Sequence, residues 1–589
     1  LALAAPAATR HDPRAIGPRD FGGEHMLQHG KRPTIASRHG MVAAAHPLAA
    51  AAGARILGNG GNAFDAAAAT AAALNVVEPY MSGLAGQGMA TCYIAAEKRV
   101  RSLNFMSRIP RKFPLDKLNH REQILRGPVA VGAPGNLAGW CEMVGTYGTR
   151  KLPELFAPAI AIARDGFGLI EFNVEEMGTA TSELRGQAAL YPEWSRTYLE
   201  GLSGGRPALG AVLKQPDLAK TLEALAADGP GLMYGGALGK KVIERLVELG
   251  GCLTLEDLLD TKAVWIDPLA ASYRGRTIHV PPPPCEAFQY LLTLRILEGF
   301  ELGKMPRNGT EHIDTVLRAI RVAAGVRIAN GVPSQQKLAE LLSDGHVESL
   351  RARVRDGKPV DGPTEQWTAP ASEGHTTSFS IADKDGNMVC VTQSLGSVFG
   401  SGVVVPGTGV CLNNFLYWAD VNPKSPNRVK QGDAMPICVA PSIVTQDDKP
   451  VLALGTPGSY GILQTQAQAI VQYVDFGLPL QQAIEAPRAR LTDGRAVLLE
   501  SRVESKVHEE LRGRGHALSS GPDWTMKVGG MQGVAVDPAE RLAAAGRRGH
   551  GCASAYERRS MASDPELPRF GGAIGRLGEA GPSCSARRG

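Results

Sequence analysis

The segment that decides the fold is Gly374–Asn414, with the sequence GHTTSFSIADKDGNMVCVTQSLGSVFGSGVVVPGTGVCLNN. Ser378–Ala382 and Met388–Ser394 are rich in alternating polar and apolar residues, and Asp383–Asn387 between them contains Asp-Gly. Asp-Gly between two such runs is typical of a β-hairpin. The preceding residues 353–374 are rich in Pro, Gly and charge and predict a loop. The sequence therefore predicts a hairpin whose first strand begins just behind a loop, with two threonines.

The first of these threonines, Thr376, is a candidate nucleophile. If the bond between His375 and Thr376 is cut, Thr376 gains a free α-amine beside its own hydroxyl, and that amine can act as the base. A Thr-Thr pair at the start of a strand is also ordinary, because β-branched residues favour strands. The catalytic interpretation therefore depends on the segments that follow.

Those segments carry a family resemblance. Gly-Ser-Gly and Gly-Thr-Gly at 400–402 and 407–409 interrupt a Val-rich run, Asn413-Asn414 ends it, and GTPGS follows an apolar strand at 455–459. In this order the chain resembles the γ-glutamyltranspeptidase family, self-processing enzymes of the N-terminal-nucleophile hydrolase class. Residues 40–93 are also similar to the family's N-terminal signature, with GGNAFDAAAA and VVEPYMSG, although Ala85 and Gln87 replace two of its glycines.

The resemblance covers roughly residues 36–540 and implies the fold. It implies an α+β protein, a four-layer αββα sandwich of the N-terminal-nucleophile hydrolase type, whereas periodicity alone predicts only mixed α and β. It also implies cleavage between His375 and Thr376 into a large chain 1–375 and a small chain 376–589, intertwined in one domain. The sequence departs from the family after Pro538, so residues from about 540 to 589 predict an aberrant or disordered tail and put the last core strand in doubt.

Local patterns predict several helices. The Ala-rich stretch His46–Leu57 and the segment Ala66–Val76 predict two helices separated by Gly58–Gly61. Polar and apolar spacing between Lys304 and Leu350 predicts two surface helices.

The resemblance assigns catalytic roles. It implies that Thr376 is the nucleophile, that the Ser394 hydroxyl lies beside it, and that backbone N–H groups of Gly458 and Ser459 stabilise the oxyanion. Asn413 and Asn414 are expected to shape the floor of the pocket. For either asparagine alone, a role as a strand-end cap is equally open.

The residues that read the substrate differ from those of glutamyl-specific members. Alignment places Gly396, Phe415 and Trp418 where the family binds the α-amine, and Ile437 and Cys438 where two serines hold the α-carboxylate. Burying an unpaired polar group costs roughly 2–7 kcal/mol. We therefore expect a small-molecule amide substrate that is not glutamyl.

A cation for a substrate acid group is predicted at Arg108. Met106 stands where glutamyl-transferring members have an arginine, and Arg108 follows two residues later in an R-x-P context that matches the non-glutamyl branch. An Arg fork binds both oxygens of a carboxylate. An ordinary surface Arg is an equally open interpretation.

Several functions remain open on these grounds. The chain is expected to be an N-terminal threonine hydrolase or acyltransferase that forms an acyl-enzyme. Alternatives are a genuine γ-glutamyl transferase or glutathione hydrolase, a cephalosporin-type acylase, an oxamate-type amidohydrolase, a carbon–carbon bond-cleaving biosynthetic relative, and a self-cleaved protein without turnover.

Composition narrows the remaining classes. The 589 residues are 43% hydrophobic and 21% charged with a net charge of +5, which gives no case for nucleic acid, and we find no apolar run long enough to span a membrane. Nine cysteines without a CxxC pair favour a reducing compartment, so a cytoplasmic location is expected, with a periplasmic or secreted one open if the N-terminus is a trimmed signal. No metal or cofactor is implied, and the expected partners are the two self-cleaved subunits, with further oligomerisation open.

Overall fold

The computed structural model describes residues 34–185, 191–358, 374–425, 427–492, 495–536, 542–545 and 552–555. These residues all belong to one compact unit. The strands are β1 Ile35–Ser37, β2 Gly40–Ala44, β3 Gln87–Ile94, β4 Arg99–Asn104, β5 Phe167–Gly168, β6 Val212–Leu213, β7 Val264–Ile266, β8 Leu269–Tyr273, β9 Arg276–Val280, β10 Gly374–Asp383, β11 Met388–Ser397, β12 Val404–Val405, β13 Val410–Cys411, β14 Ser442–Gln446, β15 Lys449–Gly455, β16 Ala489–Leu491, β17 Ala496–Glu500, β18 Ala517–Gly521, β19 Gln532–Val536, β20 Leu542–Ala545 and β21 Cys552–Ala555.

The α-helices are distributed along the whole described chain. They are α1 Pro47–Gly58, α2 Ala63–Val77, α3 Asn136–Tyr147, α4 Leu152–Asp165, α5 Glu171–Arg185, α6 Pro192–Ser195, α7 Pro216–Asp228, α8 Ala237–Glu248, α9 Leu255–Leu259, α10 Phe288–Leu297, α11 Thr310–Asn330, α12 Gln335–Leu341, α13 Asp344–Arg355, α14 Ile462–Val474, α15 Leu480–Glu485 and α16 Ser505–Gly513.

Two seven-stranded antiparallel sheets form the centre. The first sheet has the order β21-β2-β10-β11-β3-β4-β7, and the second has the order β1-β20-β19-β15-β14-β9-β8. Each sheet takes strands from both sides of the 375/376 bond, since β2, β3, β4 and β7 precede it while β10, β11 and β21 lie at or beyond it. Chains 1–375 and 376–589 would therefore interleave within the same sheets.

The layers follow from where apolar side chains are buried. Between the sheets, Met41 and Cys390 of the first pack with Ile443 and Ala453 of the second. On the outer face of the first sheet, Phe379 and the strand residues beside it pack against α1 and α2. On the outer face of the second sheet, β14 and β15 pack against α10, α11 and α14. The four-layer αββα arrangement and the α+β class are confirmed.

The predicted hairpin is present as β10 and β11, and its turn is fixed by one side chain. Asp383 accepts hydrogen bonds from the backbone N–H groups of Asp385 and Asn387, each at 2.9 Å. Its second oxygen accepts from the Ala63 N–H at 2.9 Å, at the start of α2. The same aspartate thus closes the turn and joins the first sheet to its helix layer.

The two predicted N-terminal helices are also present, with slightly different ends. In α2, Asn62 and Asp65 form a capping box, and all 15 residues of the helix are buried. Such a box satisfies N–H groups that would otherwise lack partners at a buried helix start. The small side chains let α2 pack closely against α1 and the first sheet.

The expectation of two surface helices between Lys304 and Leu350 is wrong. The structure has three helices there, α11, α12 and α13, and α11 is buried over most of its length. Two of its arginines are paired inside the protein, because Arg318 pairs with Asp314 at 2.8 Å and Arg327 pairs with Glu286 at 2.6 Å. Polar residues in this helix therefore do not mark a solvent-facing surface.

The ends of the large and the small chain meet the expectations in part. The predicted loop begins later than expected, since residues 353–355 end α13, and residues 359–373 lie outside the described residues. Beyond residue 540, β20 pairs with β19 and β1, and β21 pairs with β2. These two segments complete the sheets despite their unusual sequence, whereas the rest of 537–589 lies outside the described residues.

Candidate active site

The pairing of β10 with β11 is interrupted at the His375–Thr376 bond. Thr376 lies opposite Ser394 and His375 lies opposite Gly396, so Leu395 has no partner on β10. The backbone of Leu395 instead donates to the Met81 carbonyl at 3.0 Å. β-bulges of this kind occur next to active sites, where they change the direction of a side chain. Here the bulge removes the regular ladder from the bond that is predicted to be cleaved.

The Ser394 hydroxyl contacts that bond. It donates a hydrogen bond to the carbonyl oxygen of His375 at 2.5 Å and accepts one from the Gly396 N–H at 2.7 Å. The hydroxyl predicted to lie beside the nucleophile therefore lies on the carbonyl group that precedes Thr376. A hydrogen bond there polarises the carbonyl and stabilises negative charge on its oxygen.

Thr376 is buried, with 6% of its surface exposed. Because residues alternate across a strand, Thr376 and Ser378 share one face of the first sheet. Ser378 lies so close to Gly455, the last residue of β15, that a Cβ there would clash with its hydroxyl. This face of β10 therefore meets the end of β15 in the second sheet.

The segment after β15 carries the predicted oxyanion residues. A 3₁₀ turn, Ser459–Gly461, lies against β10. Gly458 has φ 130° and Ser459 has φ 57°, an uncommon backbone conformation for a residue with a side chain. The Ser459 hydroxyl is buried without a hydrogen-bond partner among the described residues. Strained backbone and an unpaired buried polar atom occur together at functional sites.

Asn413 and Asn414 are engaged with the backbone around the site. Asn413 donates to the carbonyls of Ala85 and Gly132, each at 2.7 Å. The Asn414 side chain accepts from the Ser397 N–H at 2.8 Å and lies against Gly396, where a Cβ would clash with it. The two amides therefore hold the loops that surround the bulge.

Four of the predicted substrate-binding residues are buried, and we call them the apolar wall: Phe415, Trp418, Ile437 and Cys438. Phe415 and Trp418 lie on one 3₁₀ helix, Phe415–Trp418, and Ile437 and Cys438 lie on the segment before β14. The Trp418 ring packs edge-on against Tyr460 with centroids 6.0 Å apart. Tyr460 directly follows Ser459, so the wall reaches the predicted oxyanion turn.

A buried ion pair lies behind this wall, and sequence reasoning did not find it. Arg327 of α11 pairs with Glu286 at 2.6 Å and stacks 4.3 Å from the centre of the Tyr460 ring. The Glu286 N–H donates to the Ile437 carbonyl at 2.8 Å. Arg327 and Glu286 pair with each other, so this ion pair leaves no unpaired charge beside the apolar wall.

Two arginines form no ion pair in the described part of the chain. Arg108 is exposed and donates to the Gly432 carbonyl at 2.9 Å, while Met106 is buried. Arg121 lies on the 3₁₀ helix Arg121–Ile124, which contacts the helix of Phe415 and Trp418. Its Nη1 is buried without a hydrogen-bond partner among the described residues. Arg121 was not predicted from the sequence.

Two carboxylates contact the face of β10 that lies opposite Thr376. Neither was predicted as a site residue. Thr377 donates to Glu78 at 2.9 Å, and His375 pairs with Glu176 at 2.8 Å. Burial raises the pKa of the Glu78 carboxyl to about 8, although the hydrogen bond from Thr377 opposes the shift. A lone Glu in the apolar segment NVVEPY was the available signal for Glu78.

Two features are absent from the described residues. These residues contain no group of three His, Cys, Asp or Glu side chains placed to hold a metal ion. Likewise, no helix in these ranges has the length and apolarity needed to cross a membrane.

Comparison with known proteins gives consistent matches. A profile of the gamma-glutamyltranspeptidase family matches residues 49–556. The Acylase ACY 1 proenzyme of Pseudomonas sp. (strain SE83) is 33% identical over 527 residues, which is 86% of this chain and 91% of that protein. The Glutathione hydrolase proenzyme of Bacillus subtilis (strain 168) is 30% identical over 531 residues, which is 85% of this chain and 88% of that protein. The crystal structure of cephalosporin acylase from Bacillus halodurans matches with a TM-score of 0.83 at 28% identity, over 92% of this chain and 100% of that one.

Proposed function

Because this chain belongs to the γ-glutamyltranspeptidase family, we propose that it cleaves its own His375–Thr376 bond and then uses Thr376 as an N-terminal nucleophile. Its relatives are named as proenzymes, and the chain is a self-processing amide hydrolase or acyltransferase of this family. The observation that best supports Thr376 is the hydrogen bond from the Ser394 hydroxyl to the carbonyl of His375 at 2.5 Å.

Processing begins with attack of the Thr376 hydroxyl on the carbonyl carbon of His375. A bond forms between that carbon and the Thr376 oxygen, the peptide C–N bond breaks, and the Thr376 nitrogen takes up a proton to become an amine. Water then hydrolyses the ester, which leaves a carboxylate on His375 and restores the hydroxyl. The Ser394 hydroxyl stabilises the oxyanion during the first step.

In turnover the same hydroxyl attacks the amide carbon of the substrate. The α-amine of Thr376 takes the hydroxyl proton and gives it to the leaving amine, which produces an acyl-enzyme. The backbone N–H groups of Gly458 and Ser459 stabilise the oxyanion, a role supported by the position of their turn against β10. Water or an acceptor amine then releases the acyl group, so the site supports hydrolysis and transfer alike.

We propose that the preferred acyl group is not glutamyl. The buried positions Phe415, Trp418, Ile437 and Cys438 offer no carboxylate or second hydroxyl to an α-amino acid head. Gly396 has no side chain at the remaining predicted amine position, and Asn414 fills the space beside it. The names of the acylase relatives agree with this preference, whereas the glutathione hydrolase relative keeps a glutamyl substrate as the alternative.

An acid group on the acyl chain would need a cation at this apolar wall. Arg108 is the candidate from the sequence, and its guanidinium is exposed beside Gly432. Arg121 is a second candidate, favoured by its buried Nη1 without a hydrogen-bond partner in the described structure. A buried N–H group without a partner gains a hydrogen bond when a carboxylate arrives.

We further propose a heterodimer of chains 1–375 and 376–589 in the cytoplasm. The shared sheets support the first part, since both chains contribute strands to each sheet. The seven cysteines whose side chains the structure describes are all free thiols, which agrees with a reducing compartment. Neither processing nor turnover as proposed calls for a metal or a cofactor.

The substrate proposal is tested with a matched pair of anilides. Glutaryl anilide and γ-glutamyl anilide differ only in the α-amine, so their kcat/KM ratio isolates the site that would read it. We expect glutaryl anilide to be favoured by about ten-fold or more, which corresponds to about 1.4 kcal/mol. Thr376→Ala should turn over neither compound, and a preference for γ-glutamyl anilide would contradict the pocket assignment.

A further inference from the structure

The residue that precedes Thr376 has its own anchor. The Nε2 atom of His375 lies 2.8 Å from the Glu176 carboxylate, and the two side chains are only 15% and 11% exposed. A contact between a ring and a carboxylate that are largely removed from water is stronger than the same contact on the surface. The pair lies on the face of β10 opposite Thr376 and takes no part in the chemistry described above.

Glu176 lies on a helix that is fixed close to the end of α2. One turn before it, the Asn173 side chain donates to the Val77 carbonyl at 2.8 Å and to the Tyr80 hydroxyl at 2.9 Å. These bonds fix the start of α5 against the segment that carries Glu78. Glu176 therefore presents its carboxylate from a rigid support, as a positioning group must.

The peptide bond at 375/376 is thus held from several sides. The His375 ring is held by Glu176, and its carbonyl is held by Ser394. The next residue after the nucleophile, Thr377, is held by Glu78 at 2.9 Å. Between His375 and Thr376 the bulge interrupts the regular ladder of β10 and β11. Thr376 and the carbonyl of His375 are therefore the part of this segment that can rearrange.

We propose that Glu176 is a positioning residue for self-cleavage, acting through His375. By holding the His375 ring, it keeps the carbonyl on the Ser394 hydroxyl and within reach of the Thr376 hydroxyl. A misplaced reacting carbon is costly, because effective attack needs a near-attack geometry. The inference rests on the proposed cleavage before Thr376 and adds a determinant of processing that is separate from turnover.

The separation follows from which chain each group joins. After cleavage His375 is the carboxyl end of the large chain, while the nucleophile, the amine and Ser394 belong to the small chain. The carboxylate left on His375 must move away from the Thr376 hydroxyl before a substrate amide can approach that nucleophile. The contact between Glu176 and His375 therefore positions a reacting bond in the precursor. In the mature enzyme that bond no longer exists, so the contact positions no reacting group.

The test follows cleavage of the full chain during cell-free translation with a pulse of label and a chase. Glu176→Gln removes the charge and keeps the shape, and His375→Phe keeps a ring without the nitrogen. Glu175→Gln is the matched control, because it removes the neighbouring, exposed carboxylate of the same helix. We expect Glu176→Gln and His375→Phe each to slow cleavage by about ten-fold or more and Glu175→Gln to leave it unchanged. The double variant should be no slower than the slower single one, as for two residues that act as a unit.

The second readout is kcat/KM per processed molecule. We expect it to stay within about two-fold of wild type for Glu176→Gln, because residues remote from the reacting atoms should not change transition-state binding. Unchanged cleavage, an additive double variant, or an equal loss of cleavage and turnover would each overturn the role of Glu176. If wild type is cleaved at another bond, it is the proposed function that fails.

Discussion

The hydroxyl of Ser394 donates a hydrogen bond to the carbonyl oxygen of His375 at 2.5 Å, across the bulge that interrupts β10 and β11. In a regular ladder that carbonyl would accept from a backbone N–H of the neighbouring strand. A hydroxyl whose own oxygen accepts from the Gly396 N–H replaces it here. The uncleaved chain thus already contains a polarised carbonyl directly before Thr376.

This contact predicts a processing defect in Ser394→Ala. Removing one oxyanion donor costs about 10²–10³-fold in rate in other enzymes, so we expect cleavage of the precursor to slow by about 10²-fold. Ser394→Thr keeps the hydroxyl and should retain most of the rate. The measurement is a time course on a denaturing gel, and cleavage of Ser394→Ala at the rate of wild type would contradict the role of the hydroxyl.

The assignment of the nucleophile predicts two different outcomes at Thr376. Wild type should separate into two fragments, and the small one should begin with Thr376. Thr376→Ala should remain one chain because it lacks the attacking oxygen, whereas Thr376→Ser keeps an oxygen and should be cleaved. Mass spectrometry of the purified chains gives the answer. An intact wild-type chain, or a cleaved Thr376→Ala chain, would remove the basis of the assignment.

The hairpin and the first helices were predictable because their determinants are local. Asp-Gly between alternating runs predicts the turn, and Asp383 then forms its bonds to Asp385 and Asn387 only a few residues away. Asn62 and Asp65 start α2 by the same kind of short-range contact. The four layers, by contrast, came from the family resemblance, since periodicity predicts elements but not their stacking.

The remaining determinants join residues that are far apart in the sequence. The hydrogen bond between Thr377 and Glu78 spans 299 residues, and no local pattern indicates its partner. The bulge at Leu395 likewise involves a distant partner, because the Leu395 N–H donates to the Met81 carbonyl. The burial of α11 was missed because Arg327 has a buried partner that only the folded chain supplies. For these residues, tertiary contacts override what composition predicts.

The buried carboxyl of Glu78 predicts an unusual dependence of stability on pH. Burial raises its pKa from 4.5 to about 8, so between these values the unfolded chain loses this proton while the folded chain retains it. The free energy of unfolding therefore falls as pH rises through this window. Glu78→Gln keeps an oxygen for the Thr377 hydroxyl and removes the titration. In the Thr376→Ala background, we expect Glu78→Gln to raise the free energy of unfolding by a few kcal/mol relative to the parent at about pH 8 and by little at about pH 5. The size follows because one pKa unit is about 1.4 kcal/mol.

Chemical denaturation at both pH values measures this difference. Glu244→Gln on α8 is the control, because its carboxylate is exposed and its loss should leave the pH dependence of the parent unchanged. Equal shifts at both pH values for Glu78→Gln would show that the effect comes from packing and not from titration.

The last prediction concerns the cation that would receive an acid group at the apolar wall. Arg108→Met and Arg121→Met each remove one candidate, and Arg111→Met is the matched control because Arg111 is already paired with Asp257 and Asp260. The readout is KM for glutaryl anilide against pentanoyl anilide, which has the same chain length without the carboxylate. Loss of a charged hydrogen bond of about 1.5–3 kcal/mol should raise KM for the acid by about ten-fold or more and leave KM for the uncharged substrate unchanged.

We expect this effect at Arg108 or at Arg121, and the variant with the larger effect identifies where the acid end of the acyl chain lies. Replacement by Lys should restore binding only in part, since Lys keeps the charge but not the two-pronged contact. If neither variant separates the two anilides, the acid group has no partner among these residues and a carboxylated acyl group is not what this wall selects.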